Sequence, residues 1–208
     1  MPAFRPASSR PHLLLFLLLA AACSSADPTH KKAPAPAPAP GGPVELGYFA
    51  GGCFWGVEYF LEQLPGVLAV ESGYMGGTKD APTYEDVKRG DTGHAETVRV
   101  TFDPQVITYH AVAKRFFEIH DPTEVDRQGP DIGPQYRSAV FVTGPEQRAV
   151  IDDLIARLRA NGYDVATTVE DAGTFWLAED YHQNYYVRTR KTPYCHTPVP
   201  RFDRPAGT

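Results

Sequence analysis

Along residues 54–64 the apolar positions Phe54, Val57, Leu61 and Leu64 recur at three- and four-residue steps, which places them on one face of a helix that Pro65-Gly66 stops. The same spacing joins Val112, Phe116 and Ile119 within 107–119. It also joins Val150, Leu154, Ile155 and Leu158 in a helix opened by Pro145 and ended by Asn161-Gly162. A short helix is predicted over 83–89, closed by Gly90, and another over 177–188. Strand patterns separate these helices. Residues 45–50 form a short apolar run into Gly51-Gly52, 67–75 end at Gly76-Gly77, and 138–142 and 166–170 are further candidates. Residues 95–102, AETVRVTF, alternate cleanly, as a strand with one solvated face does. From 192 onward the chain is rich in proline and is expected to be coil wrapped on the surface.

This order of strands and helices, with long irregular connections, predicts an α+β fold: a mixed sheet with helices packed on it. The connections 76–94 and 121–137 are rich in glycine, proline and charge, and long ordered loops in a compact domain commonly carry function. A chain of 208 residues is long enough for one domain with a substantial core.

The N-terminal part reads differently. Arg5 and Arg10 precede an apolar run, LLLFLLLAAA at 13–22, that is far shorter than the roughly 20 residues needed to span a bilayer, so residues 1–22 are expected to be a signal peptide. The run ends at Cys23 and resembles the lipobox of bacterial lipoproteins, in which cleavage leaves an N-terminal cysteine that carries lipid. Leu19 stands one place earlier than that motif has its leucine, and Ala20-x-Ala22 or Ser24-x-Ala26 also fits an ordinary cleavage site. Residues 23–43 would then be anchor and spacer, since APAPAPAP at 33–40 favours extended polyproline II. The folded domain is expected over 44–208. Export with a lipid anchor implies a bacterial membrane, and Ser24 in place of an acid after Cys23 points to the outer membrane, facing the periplasm.

With 20 Lys+Arg against 25 Asp+Glu, the chain shows no basic stripe of the kind that phosphate contacts leave, so nucleic acid is not an expected partner. None of the seven histidines pairs with another at i,i+4; no metal is expected, and His94, His120, His182 and His196 are expected to make structural hydrogen bonds. A monomer is expected.

The candidate chemistry centres on GCFWG at 52–56. Cys53 falls at the start of the first predicted helix, where unpaired N–H groups and the macrodipole favour a thiolate. The flanking glycines let backbone approach, and Phe54 and Trp55 offer an apolar wall. The plainer alternative is a buried structural cysteine. In an exported chain an idle thiol is a liability, and with Cys23 assigned to lipid, Cys53 and Cys195 remain as a possible pair. That pair is either a redox couple or a structural disulfide closing a loop of about 140 residues, worth about 4–5 kcal/mol on the chain-entropy model. The residue pattern leaves open a thiol peroxidase or general disulfide oxidoreductase, and a non-catalytic lipoprotein domain. Read by pattern alone, Glu96 faces solvent from its alternating strand, Glu58 lies on a solvated helix face, and Tyr84 and Tyr136 are half-buried loop tyrosines.

Eight segments in order carry a more specific resemblance. They are GCFWG at 52–56, GYMGG at 73–77, PTYEDV at 82–87, GHAETV at 93–98, HDPT at 120–123, QGPDIGPQYRS at 128–138, EDYHQNYY at 179–186 and PYCH at 193–196. From Val44 to about Thr197 the chain resembles the methionine sulfoxide reductases of the A class. The resemblance implies a ferredoxin-like core and reduction of methionine-S-sulfoxide, free or in oxidised proteins, by Cys53. Glu96 would be the proton donor, Tyr84 and Tyr136 would bond the sulfoxide oxygen, Asp131 would hold a bound water, and Phe54 with Trp55 would cradle the methyl group. It further implies a sulfenic acid on Cys53, resolved by Cys195 as a disulfide that a thioredoxin-like dithiol reduces, with no metal or organic cofactor.

Overall fold

The computed structural model describes residues 42–203 and Met1. The expected signal peptide, Cys23 and the Ala/Pro spacer up to Gly41 lie outside the described residues, as do 204–208.

The chain forms β1 (Glu45–Gly51), α1 (Phe54–Leu61), β2 (Val67–Met75), α2 (Tyr84–Lys88), β3 (Ala95–Phe102) and α3 (Tyr109–Ile119). There follow a small hairpin of β4 (Arg127–Gln128) and β5 (Asp131–Ile132), a 3-10 turn at Pro134–Tyr136, β6 (Ser138–Val142) and α4 (Pro145–Ala160). The last elements are β7 (Thr168–Asp171), β8 (Trp176–Leu177) and α5 (Tyr185–Thr189). The main sheet runs β7-β6-β1-β3-β2-β8, antiparallel throughout except for the parallel β6–β7 pair. Within it, β6-β1-β3-β2, with α1 and α3 as the connections, is the split βαβ arrangement of the expected ferredoxin-like core. The fold is α+β with a mixed sheet, as the pattern predicts.

The main core lies between the sheet and the helices. Phe54, Val57 and Leu61 from α1 meet Val112, Phe116 and Phe117 from α3, Leu154 and Leu158 from α4, and Val98, Val100 and Phe102 from β3. A smaller cluster of Ala50, Met75, Ala95, Ala139, Phe141 and Phe175 covers the opposite face. Alternation in 95–102 predicts a strand with one wet face, yet every residue of β3 is buried. The polar residues of its second face are matched instead: the Arg99 guanidinium bonds Glu71 at 2.6 and 2.7 Å and lies 5.2 Å over the Phe175 ring. Glu96 belongs to the other face, in step with Val98, Val100 and Phe102, and so points toward the helices and away from solvent.

Several predicted elements differ at their ends: α1 stops at Leu61, three residues short of 64, and α3 begins at Tyr109. The helix expected over 177–188 is divided into β8, a turn and α5. Gln183 explains the division, because its side-chain amide accepts from Ser72 N–H at 2.9 Å and donates to the carbonyls of Ser72 and Ala178 at 2.9 and 3.0 Å. A side chain thus extends the β8 ladder along the edge of β2 and stops the helix from starting earlier. The strand expected over 166–170 begins two residues later, at Thr168.

Glu58 is also placed differently from its expectation: it is buried on α1, and its Oε2 accepts the N–H of Asn184, a residue in the left-handed region, at 3.0 Å. Burial pushes its carboxyl up to about 8. The folded state therefore keeps a proton that the unfolded chain releases above the ordinary value of about 4.5. By linkage, stability contributed through this group is full below that value and falls as pH rises toward 8. Thermal melts of the wild type and Glu58→Gln between pH 4.5 and 8 should show a shallower decline for the variant; parallel curves would exclude a buried, protonated Glu58.

Candidate active site

β1 delivers the chain to the centre of the molecule, where Gly52, at φ +90°, turns it into α1. The left-handed conformation favours glycine, and the Gln128 side chain packs where a Cβ would stand, at 2.4 Å. Cys53 then occupies the N-cap position of α1, its carbonyl accepting from Gly56 N–H at 3.1 Å. Its side chain is 6% exposed.

Glu96 reaches this helix start from β3. Its Oε2 accepts the N–H of Phe54 at 3.1 Å, in a buried contact. Burial dominates that bond and pushes the carboxyl up to about 8, with the charges of Asp131 and Cys195 acting in the same direction. The result is a carboxylic acid that keeps its proton near neutral pH, one bond away from the backbone of the thiol.

The loops converge on the same point. Thr83 caps α2 in a reciprocal box with Asp86, whose carboxyl is held well below its usual range by Lys79 and by the N–H of Thr83. This fixes Tyr84 at the first position of α2, with its N–H donated to Glu179 Oε1 at 2.8 Å and its ring 4.6 Å from that of His182. Tyr136 closes the 3-10 turn, its N–H donated to Gly133 carbonyl at 2.9 Å. Burial raises both phenols, Tyr84 to about 12, and both feel Glu96 and Cys53, so they stand at the site as protonated donors. Both carboxylate oxygens of Asp131, on β5, lie 3.0 Å from the Tyr194 hydroxyl and share its one hydrogen.

The aromatic wall has two unequal parts. Phe54 is buried, 5.9 Å from the Tyr74 ring and 4.9 Å from that of His182. Trp55 is half-buried: its Nε1 donates to His182 Nδ1 at 3.0 Å and one face stacks on Tyr185 at 3.6 Å. Tyr185, His182 and Glu179 were not singled out as site residues by the pattern, although all three lie in the EDYHQNYY segment. Their signal was the density of aromatic and acidic residues in that one stretch.

Cys195 is brought in by the C-terminal tail. The tail is coil, as expected, but it is pinned rather than loose. Tyr194 bonds Asp131, Val199 N–H donates to Glu118 carbonyl at 2.7 Å, and Phe202 is buried in the main core. The sulfurs of Cys53 and Cys195 and a carboxylate oxygen of Asp131 all lie within 4.8 Å of one another, and both cysteines carry free thiols. The Cys53 thiol is pushed well above its ordinary range by its hydrogen bond with Cys195, by burial and by Glu96, with the N–H of Trp55 acting against them. Cys195 moves the other way, down to about 6, through the same bond with Cys53 and through His196. The helix start, expected to make Cys53 the thiolate, is outweighed in the resting molecule: of the two thiols, Cys195 is the one that gives up its proton more readily.

The other histidines make the structural bonds expected of them. His94 accepts from Gly77 N–H at 3.1 Å and contacts Lys79 carbonyl at 2.8 Å, and His120 joins Phe116 carbonyl and Ser138 at 2.7 and 2.8 Å.

A buried thiol, an adjacent thiol on a separate segment and a buried carboxylic acid, with two phenols close enough to feel its charge, are the parts of a thiol-based oxidoreductase. The family model "Peptide methionine sulfoxide reductase" matches residues 45–206. The chain is 49% identical over 158 residues to the peptide methionine sulfoxide reductase MsrA of Deinococcus radiodurans, covering 74% of this chain and 77% of that one. To the enzyme of the same description from Ralstonia nicotianae it is 50% identical over 159 residues, 73% and 83% of the two chains. Among solved structures, the reduced form of Mxr1 from Saccharomyces cerevisiae is similar with a TM-score of 0.71 at 34% identity, covering 74% and 92%. Methionine sulfoxide reductase A of Corynebacterium diphtheriae gives 0.65 at 34%, covering 73% and 77%. The chain belongs to the peptide methionine sulfoxide reductase family, in its A class, and is an enzyme of that class.

Gly56, the second glycine of GCFWG, opens the slot in which the tail sits: a Cβ there would stand 2.1 Å from His196 Nδ1. Gly56→Ala should therefore displace the tail and lower stability by about 1–3 kcal/mol, the usual cost of overpacking. Urea unfolding measures it, and an unchanged midpoint would place His196 elsewhere.

Proposed function

We propose that the chain reduces methionine-S-sulfoxide, free or in oxidised proteins, through Cys53, and that it does so outside the cytoplasm. The observation that carries this reading is the buried Glu96 carboxyl, pushed up to about 8 and bonded to the residue next to Cys53. A sulfoxide sulfur becomes a good electrophile only when its oxygen takes a proton, and Glu96 keeps a proton to donate near neutral pH. Tyr84 and Tyr136 hold the same oxygen with their hydroxyls, Asp131 orders a water beside it, and Trp55, the more exposed of the two aromatic residues, receives the methyl group with Phe54 behind it.

As the oxygen is protonated by Glu96, the Cys53 sulfur attacks and its own proton returns to Glu96. The hydroxyl then passes from the substrate sulfur to the Cys53 sulfur, breaking the substrate sulfur–oxygen bond and the transient sulfur–sulfur bond, so thiol and sulfoxide become sulfenic acid and thioether. Cys195 then condenses with the sulfenic acid, releasing water and forming the Cys53–Cys195 disulfide. An external dithiol restores both thiols by exchange. Mxr1, similar to this chain at 34% identity, is known in complex with Trx2, which supports a thioredoxin-like reductant. The electrons pass through sulfur alone, and the sequence of steps uses neither metal nor organic cofactor.

Extracytoplasmic repair rests on the N-terminal pattern: a signal peptide over 1–22, a lipid on Cys23 and a spacer over 23–43 that holds a monomeric catalytic domain, 44–208, off the outer membrane. Cys23→Ser should move the protein from the membrane fraction to the soluble periplasmic fraction on cell fractionation. Retention of the variant in the membrane excludes the anchor.

With separate sulfoxide epimers and a dithiol, Glu96→Gln should lower kcat/KM for the S epimer by at least about 100-fold while Cys53 remains open to alkylation. In the wild type the rate should fall as pH rises past about 8, where Glu96 loses its proton, and the variant should lack that limb. A glutamine variant with native turnover overturns the donor assignment, and turnover by Cys53→Ser overturns the reaction itself.

A further inference from the structure

The Cys195 sulfur lies 3.0 Å from Nδ1 of the next residue, His196, whose Nε2 is 2.7 Å from the carbonyl oxygen of Gly51. A carbonyl can only accept, so Nε2 carries the hydrogen of that bond. In a neutral imidazole Nδ1 is then bare and faces the thiol as an acceptor. The ring is held in this orientation. His196 is 3% exposed, its Nδ1 fills the slot left by Gly56, and the tail is fastened on one side by Tyr194 to Asp131 and on the other by Val199 to Glu118.

We propose that His196 is a catalytic residue of the resolving step, the base that takes the Cys195 proton and returns it to the departing oxygen. This rests on the reading of Cys53 as the residue that becomes a sulfenic acid. Attack on that sulfur requires thiolate, and the oxygen must leave as water. Cys195 passes its proton to Nδ1 and attacks Cys53 Sγ. The sulfur–oxygen bond of the sulfenic acid breaks, and the hydroxide takes the proton from Nδ1. Sulfenic acid and thiol become disulfide and water, with no other oxidant or reductant involved.

The surroundings leave this role to His196. Cys53 on α1, Glu96 on β3, Asp131 on β5 and Tyr186 on α5 face the sulfur pair, and none of them is a base as close to Cys195 as the imidazole. His120, the residue that caps the C-terminus of α3, stands across Gly51 from His196 and is pushed down to about 3 by burial, so it remains neutral and bonded to Phe116 carbonyl and Ser138. The Cys195 thiol, lowered to about 6 through Cys53 and His196, agrees with the geometry.

The test is a single turnover of the full chain with methionine-S-sulfoxide and no dithiol, following methionine release and the Cys53–Cys195 disulfide by peptide mass spectrometry. In His196→Gln the rate of disulfide formation relative to methionine release should fall at least about tenfold, with Cys53 sulfenic acid accumulating as a dimedone adduct. An unchanged ratio overturns the role of His196. Absence of methionine release from the wild type overturns instead the reading of Cys53. A second measurement does not depend on the folding of that variant. In Cys53→Ser, the 15N signals of the His196 imidazole should change over the same pH range as the alkylation of Cys195, because the proton leaving the sulfur is taken up at Nδ1. An imidazole signal indifferent to the titration of Cys195 overturns the proposal.

Discussion

The N–H of Phe54 donates to Glu96 across 3.1 Å, and much of the molecule is arranged around that bond. It ties the start of α1 to the middle strand of the sheet at the place where the reactive thiol sits. A carboxylate could satisfy that N–H in water at little cost, but here the carboxyl is buried under the start of α1, and desolvation favours its neutral form. Burying β3 on both faces is what makes this possible. The helices seal one face, and the ion pair of Arg99 with Glu71 under Phe175 seals the other.

A second constraint is steric. The two glycines around Cys53 leave room for side chains distant in sequence, Gln128 at Gly52 and His196 at Gly56. The loop 121–137 and the C-terminal tail therefore dock directly on the backbone of the thiol-bearing turn. Gln128 is itself fixed, accepting from Asp121 N–H at 2.9 Å and donating to Asp121 carbonyl at 3.1 Å, so the loop arrives as a formed unit. The docking explains how a strand end, a helix start, two loops and a tail share one small volume. It also brings the two sulfurs together before any substrate oxygen has moved.

The division of charge between the sulfurs follows from this crowding. A helix start favours an anion, but the bond to Cys195 first, then burial and the neighbouring Glu96, raise the Cys53 thiol by more than the N–H of Trp55 lowers it. The half-buried Cys195, with an imidazole at 3.0 Å, holds the anion more easily. The first sulfur thus meets substrate with its proton in place and an acid beside it, while the second is already prepared for its later step.

The eight motifs and the spacing of apolar residues along the chain were enough to determine the α+β class, most element positions, the family and the identity of Cys53, Glu96, Tyr84, Tyr136 and Cys195 as one group. They were enough because periodicity and motif order are local, carried by neighbours in the chain. The break at Gln183, the burial of Glu58 and the second covered face of β3 were not legible, since each depends on a partner far away: Ser72 for Gln183, Asn184 for Glu58, Phe175 for Arg99. The positions of the protons also belong to the tertiary structure alone. An alternating strand reads the same whether its acid faces water or core, and only packing decides which face is dry, which carboxyl stays neutral and which of two sulfurs holds the charge.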